Sequence, residues 1–273
     1  MELEVPIVMG VVNVTPDSFS DGGQFLDPDA AIAHGIELAS QGAAILDVGG
    51  ESTRPGAEPV TDEEELRRVL PVVEGLAGEA WEVSVDTAKR AVAEAALDAG
   101  AAIVNDVTAF RGDSGMAGLV AERGVGCCLM HMLGEPRTMQ DAPRYDDVAS
   151  EVKAFLEERL AFAVDAGVAE EKVWLDPGIG FGKSVEHNLE LLRRLDELVA
   201  IGRPIVVGTS RKSFLGKLTG GRPESGRLPG TIATNVLALE RGASVFRVHD
   251  VAAVVDALAV ATAVIEPEGV RQP

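Results

Sequence analysis

The stretch Gly42-Ala-Ala-Ile-Leu-Asp-Val-Gly-Gly-Glu-Ser-Thr-Arg54 carries the pattern that decides the fold. A glycine closes an alanine-rich segment, a short apolar run follows, and polar residues come immediately after it. The phrase recurs along the chain: Gly42, Gly78, Gly100, Gly124, Gly167, Gly202 and Gly242 each precede such a run. The runs are AILDV from Ala44, WEVSVD from Trp81, AIVND from Ala102, CCLMH from Cys127, VWLD from Val173, PIVVG from Pro204 and VFRVH from Val245. An eighth, PIVMGVVN, opens at Pro6. Glycine just past a helix end takes the left-handed conformation that stops the helix. The runs are short and β-branched, as in strands buried on both faces. Between them lie helical patterns. Over 151–166, Val152, Phe155, Leu156 and Leu160 share one face, and 91–97 and 251–265 are similar and alanine-rich.

Strand and helix alternating eight times imply a parallel sheet with crossover helices. Eight units in 273 residues fit a closed (β/α)8 TIM barrel of roughly 250 residues, a single domain over 1–273. An open doubly wound sheet would gather its polar motifs at one switch point. Here nearly every run is followed at once by polar residues, which favours the barrel.

Composition narrows the function. Lys and Arg number 24 against 44 Asp and Glu, a formal charge of −20, which argues against a broad grip on nucleic acid or an anionic membrane. Aromatics at 4% make a base-stacking surface improbable. The only two cysteines, Cys127 and Cys128, are adjacent and apolar in setting, so they neither staple the fold nor form a zinc site. The N-terminus has no basic n-region and no apolar stretch reaches the roughly 18 residues of a membrane span, so a cytoplasmic protein is expected.

In a barrel the residues after each strand face one site. Those positions hold Asn13, then Glu51-Ser52-Thr53-Arg54, Asp86, Asn105-Asp106, His131, Asp176, Ser210-Arg211-Lys212, and Arg247 with His249. Singly each is weak, since a lone aspartate is as readily a helix cap or turn residue. Together they ring one rim with carboxylates, carboxamides and cations. His131 reads equally as a site residue or a core histidine.

Two loops stand out. The Pro, Ser, Asp and Gly composition of 13–23 reads as a long loop able to close over a ligand. The other, Asp176-Pro-Gly-Ile-Gly-Phe-Gly-Lys183, invites a phosphate-loop reading. The first glycine of that motif would fall on Pro177, and the G-x-G-x-x-G spacing is absent, so a glycine-floored cleft for a flat ligand is the better reading.

At these residues the chain closely resembles the dihydropteroate synthase family over essentially its full length. The matching segments are 10–23, 42–56, Ser84-Val-Asp-Thr87, Asn105-Asp106, Met130-His-Met132, 176–183, Ser210-Arg-Lys-Ser-Phe-Leu-Gly216 and Arg247-Val-His249, with 220–226 in a variable region. The resemblance implies a homodimeric barrel that, with Mg²⁺, joins 6-hydroxymethyl-7,8-dihydropterin diphosphate to 4-aminobenzoate through a pterin carbocation. It implies a pterin held by Asp86, Asn105, Asp176, Lys212 and Arg247, with Asp86, Lys212 and Arg247 catalytic. It implies a diphosphate at Asn13, Arg54, Arg247 and His249, the metal at Asn13, and 4-aminobenzoate framed by Thr53, Pro55, Phe181, Lys212 and Ser213. Sulfonamides, which present a similar arylamine, would compete with 4-aminobenzoate. A methyltetrahydrofolate-dependent methyltransferase barrel would share Asp86, Asn105 and Asp176 but handles no diphosphate. The Ser210-to-Lys212 and Arg247-to-His249 elements argue against it.

Overall fold

A computed structural model describes residues 5–15, 27–54 and 56–265. The strands are β1 (Ile7–Asn13), β2 (Ile45–Gly49), β3 (Glu82–Asp86), β4 (Ile103–Asp106), β5 (Gly126–Met130), β6 (Val173–Asp176), β7 (Val206–Val207) and β8 (Val245–Val248). All pair in parallel in the order β6-β5-β4-β3-β2-β1-β8-β7, and a bridge between Leu175 and Ile205 joins the two ends. The result is the (β/α)8 barrel expected from the repeated joins.

The helices are α1 (Pro28–Ser40), α2 (Asp62–Gly78), α3 (Arg90–Asp98), α4 (Met116–Arg123), α5 (Val148–Asp165), α6 (Val185–Arg193), α7 (Leu195–Val199), α8 (Ser213–Leu218), α9 (Leu228–Glu240) and α10 (Val251–Ile265). Two crossovers therefore hold two helices each, after β6 and after β7. The joining glycines behave as expected with one exception. Gly78 is the last residue of α2, and Ala80 takes the left-handed conformation two positions later (φ 63°).

The strands have two buried faces. Outward side chains, among them Leu46, Val48, Val83, Val85, Val104, Cys127, Leu129, Leu175, Val207 and Phe246, pack under the helices in the main core. Inward side chains form a second layer at the N-terminal end of the barrel: Met9, Ile45, Ile103, Cys128, Val206 and Val245, with Ile7 and Trp174 against them. The adjacent cysteines thus face opposite cores. Two residues further along the same strands, the inward positions turn polar: Asp47 after Ile45, Asn105 after Ile103, Arg247 after Val245. Successive inward positions lie about 6–7 Å apart along a strand, so one pleat separates an apolar floor from a charged rim.

Candidate active site

At the C-terminal end of the strands a cavity of about 400 Å³ opens. It is lined by Asn13, Thr53, Arg54, Asp86, Asn105, Asp176, Phe181, Lys212, Ser213, Arg247 and His249. Every proposed site residue is there except Pro55, which lies outside the described residues, as do residues 16–23 of the long first loop.

The centre is a buried charge cluster. Arg247 donates from Nε to Asp47 Oδ2 at 2.6 Å and from a terminal nitrogen to Asp86 Oδ2 at 2.7 Å, and Asn105 Nδ2 donates to the same Asp47 oxygen at 3.1 Å. Asp47 is wholly buried, and its second oxygen has no partner among the described residues. Burial pushes Asp86 up to about 7; Arg247 opposes this, and the Asp47, Glu65 and Asp106 carboxylates add to it. The same two aspartates outweigh burial at Arg247 and hold its guanidinium charged. With its edges fixed by two carboxylates, the guanidinium plane is pre-oriented against whatever enters the cavity.

Asp176 and Lys212 line the same cavity. Asp176 Oδ1 accepts the Gly178 N–H at 2.6 Å, which leaves the other oxygen for a ligand. Burial raises the Asp176 carboxyl against that hydrogen bond and the Lys212 charge. Burial and the neighbouring Arg247 bring the Lys212 ammonium down to about 8, with Asp176 and Asp86 opposing. Its Nζ lies 3.9 Å from the centroid of the Phe181 ring, a cation–π contact that binds the β6 and β7 loops together.

The glycine-rich loop serves this geometry differently from the expected cleft floor. Gly178 has φ 65°, and a Cβ there would lie 1.9 Å from the His131 carbonyl oxygen; at Gly182 it would lie 2.6 Å from the Leu133 carbonyl oxygen. These two glycines let the loop press on the β5 loop. Of the loop's glycines, Gly180 is the one that borders the cavity. Lys183, which suggested a phosphate loop, is buried away from the cavity and donates to His131 Nδ1 at 2.9 Å and the Phe181 carbonyl at 3.0 Å. His131 is accordingly a core residue, pushed down to about 2 by burial and Lys183, and stacked edge-on against Phe155.

The strand-end reading placed Glu51 on the rim without a role, and it missed Glu224 and Asp47. Glu51 borders the cavity and shares Lys89 with the buried Glu65. Glu224, from the stretch read as variable, also lines it and meets Arg54 at 3.3 Å across the mouth. Arg54 is thus turned towards a carboxylate at the rim. Asp47 carried a signal, a carboxylate inside an otherwise apolar run, and the phrase AILDV holds it.

Residues 9–249 match the pterin binding enzyme family. The chain belongs to the pterin binding enzymes, among the dihydropteroate synthases. The Escherichia coli dihydropteroate synthase is 48% identical over 97% of this chain and 94% of its own length. A Xanthomonas albilineans dihydropteroate synthase with 4-aminobenzoic acid superposes with a TM-score of 0.91 at 50% identity, over 98% of this chain and 95% of that one. The same enzyme in complex with 7,8-dihydropteroate gives 0.87 at 47% identity, over 99% and 97%. Membership of the dihydropteroate synthases gives the rim its enzymatic context: a transferase whose relatives hold an arylamine acid and a pteroate product.

Proposed function

We propose that this transferase condenses 6-hydroxymethyl-7,8-dihydropterin diphosphate with 4-aminobenzoate to give 7,8-dihydropteroate and diphosphate. The observation that carries the assignment is the joint lining of one cavity by Asp176, Asn105 and Lys212 with Arg247, His249 and Asn13. The first three suit the edge of a flat amide-like ring; the others suit an anion. No methyltetrahydrofolate-handling site needs the second set.

The pterin's 2-amino/N3 edge gives its hydrogens to the free oxygen of Asp176. Asn105 reads a neighbouring edge with donor and acceptor together, and Lys212 donates to the carbonyl side. Arg247 lies against the ring face. The bond from the exocyclic methylene to the diphosphate oxygen breaks, and the electron pair leaves with diphosphate. The methylene cation develops near Asp86, whose carboxylate stabilises it. The arylamine nitrogen then attacks the methylene and releases a proton to water. Thr53, Phe181 and Ser213 frame the arylamine, with Pro55 as a further expected contact, and sulfonamides compete for that place.

Arg54, Arg247 and His249 take the leaving charge. For Arg54 this requires release from Glu224, an exposed pair that on its own contributes about 0–1 kcal/mol. Among the described residues no group of three His, Cys, Asp or Glu could hold a metal. The neutral Asn13 carboxamide at the cavity wall fits a Mg²⁺ ion that keeps most of its waters and takes its remaining ligands from substrate oxygens. Bound there, the ion would neutralise charge developing on diphosphate.

Homodimerisation and a cytoplasmic setting belong to the same reading. Leu237 on α9 and Val260, Val264 and Ile265 on α10 are exposed on adjacent helices, an apolar face that a second copy would cover. Among the described residues no helix is long and apolar enough to cross a membrane.

The test is a coupled diphosphate-release assay in which each substrate is omitted in turn. Release is expected only when both are present. Equal release without the pterin diphosphate, or none with both, would overturn the assignment.

A further inference from the structure

Ser210 lines the cavity, is 6% exposed, and has no role in the scheme above. Among the described residues both of its side-chain hydrogen-bonding contacts are to one residue, His249. Its Oγ accepts the His249 backbone N–H at 3.1 Å and lies 3.0 Å from His249 Nδ1. A backbone amide can only donate, so it occupies an oxygen lone pair. The hydroxyl has one hydrogen to give, and Nδ1 is the acceptor within its reach. An accepting Nδ1 puts the ring proton of a neutral imidazole on Nε2. Nε2 makes no hydrogen bond among the described residues and is not among their buried unpartnered atoms, so it opens to the cavity.

We infer that Ser210 is a positioning residue that holds His249 as the neutral Nε2–H tautomer, presenting a fixed hydrogen-bond donor to an anionic oxygen in the cavity. The inference deepens the reading of the cavity as a diphosphate site and rests on it for the identity of that oxygen. The surroundings agree with a neutral ring. Among the described residues, Arg247 on β8, Arg211 and Lys212 on the β7 loop, and Asp250 beside it are the charged groups that face His249. Burial, Arg247 and Arg211 push the imidazole down to about 3, with Asp250 opposing weakly. Arg211 is itself paired with Asp250 at 2.6 Å, which leaves the cations dominant. A second positive charge at His249 would face Arg247 directly. A neutral donor adds direction to anion recognition without that repulsion.

The chain has four histidines, so the tautomer can be read from long-range ¹H–¹⁵N correlations of histidine-labelled enzyme without substrate. His249 is expected to show the neutral Nε2–H pattern from pH 6 to 8. Ser210→Ala should give a His249 that is still neutral but a mixture of the two tautomers, while His131 and His187, whose Nδ1 atoms are held by Lys183 and the Ser184 N–H, keep their signals and report an intact fold. Ser210→Thr, which keeps the hydroxyl, should restore the pattern. The affinity for inorganic diphosphate should fall about three- to tenfold in Ser210→Ala, the loss of one well-placed hydrogen bond. An Nδ1–H pattern or an imidazolium at pH 7 in the native enzyme would overturn the inference, as would an unchanged His249 in Ser210→Ala. If the tautomer stands and diphosphate does not bind the native enzyme, the diphosphate reading of the cavity fails instead.

Discussion

The floor and the rim of this barrel are made from the same strands, one pleat apart. Ile45, Ile103 and Val245 sit in an apolar plug; Asp47, Asn105 and Arg247, each two residues on, sit in a buried charge cluster. The floor stabilises by excluding water from side chains that have nothing to pair. The rim holds two carboxylates, a guanidinium and a carboxamide in fixed geometry, which water alone would not arrange. The contrast teaches that one parallel strand can serve stability at one end and chemistry at the other, with two residues as the switch.

Substitutions at matching depths should separate the two ends, and Arg247 is where the separation breaks down. Arg247→Met leaves Asp47 and Asp86 buried without their cation, so it should lower stability by about 3–5 kcal/mol and abolish turnover together. Ile103→Ala on the floor should cost about 2–5 kcal/mol by leaving a cavity. Below its melting range its kcat and KM should stay near those of the native enzyme. Chemical denaturation with steady-state kinetics on both variants checks this; a floor variant that folds fully yet loses turnover would blur the distinction.

A smaller effect comes from pH. Asp86, pushed up to about 7, gains its proton as pH falls, and the negative charge opposite the developing cation is lost. Lys212, brought down to about 8, loses its proton as pH rises, and the charged donor to the ring is lost. The profile of kcat/KM should therefore fall on both sides of a maximum between these values. Lys212→Arg, charged throughout, should flatten the alkaline limb and leave the acid limb in place. A profile flat from pH 6 to 9 would show that neither group titrates where its surroundings put it.

The barrel was legible because eight apolar runs end in polar residues, and seven of them follow the same joining glycine. Most of the rim was legible for the same reason: strand ends gather at one mouth, although Asp106 turns away to bond Thr108 and Phe110 and His131 turns into the core against Lys183. What the sequence withheld depends on contacts between distant segments. Nothing in Gly78 distinguishes it from the other joining glycines, yet the left-handed turn falls on Ala80. The glycines at 178 and 182 face the β5 loop because that loop passes underneath, which no local pattern encodes. Asp47 reads as an oddity in a strand until Arg247, 200 positions away, is brought beside it. Glu224 lies in a stretch with little pattern and reaches the cavity mouth only because its short 3-10 turn (Glu224–Gly226) sits there.

The central claim is that the pterin edge is read at the rim by Asp176 while the fold stands without it. Calorimetric titration of Asp176→Ala with 6-hydroxymethyl-7,8-dihydropterin diphosphate, beside a thermal melt of the same protein, tests it most directly. The variant should remain folded and lose at least about 1–3 kcal/mol of binding, roughly a fivefold or greater weakening, because the donor edge would be left unpaired in a buried pocket. Unchanged affinity in a folded variant would contradict the account.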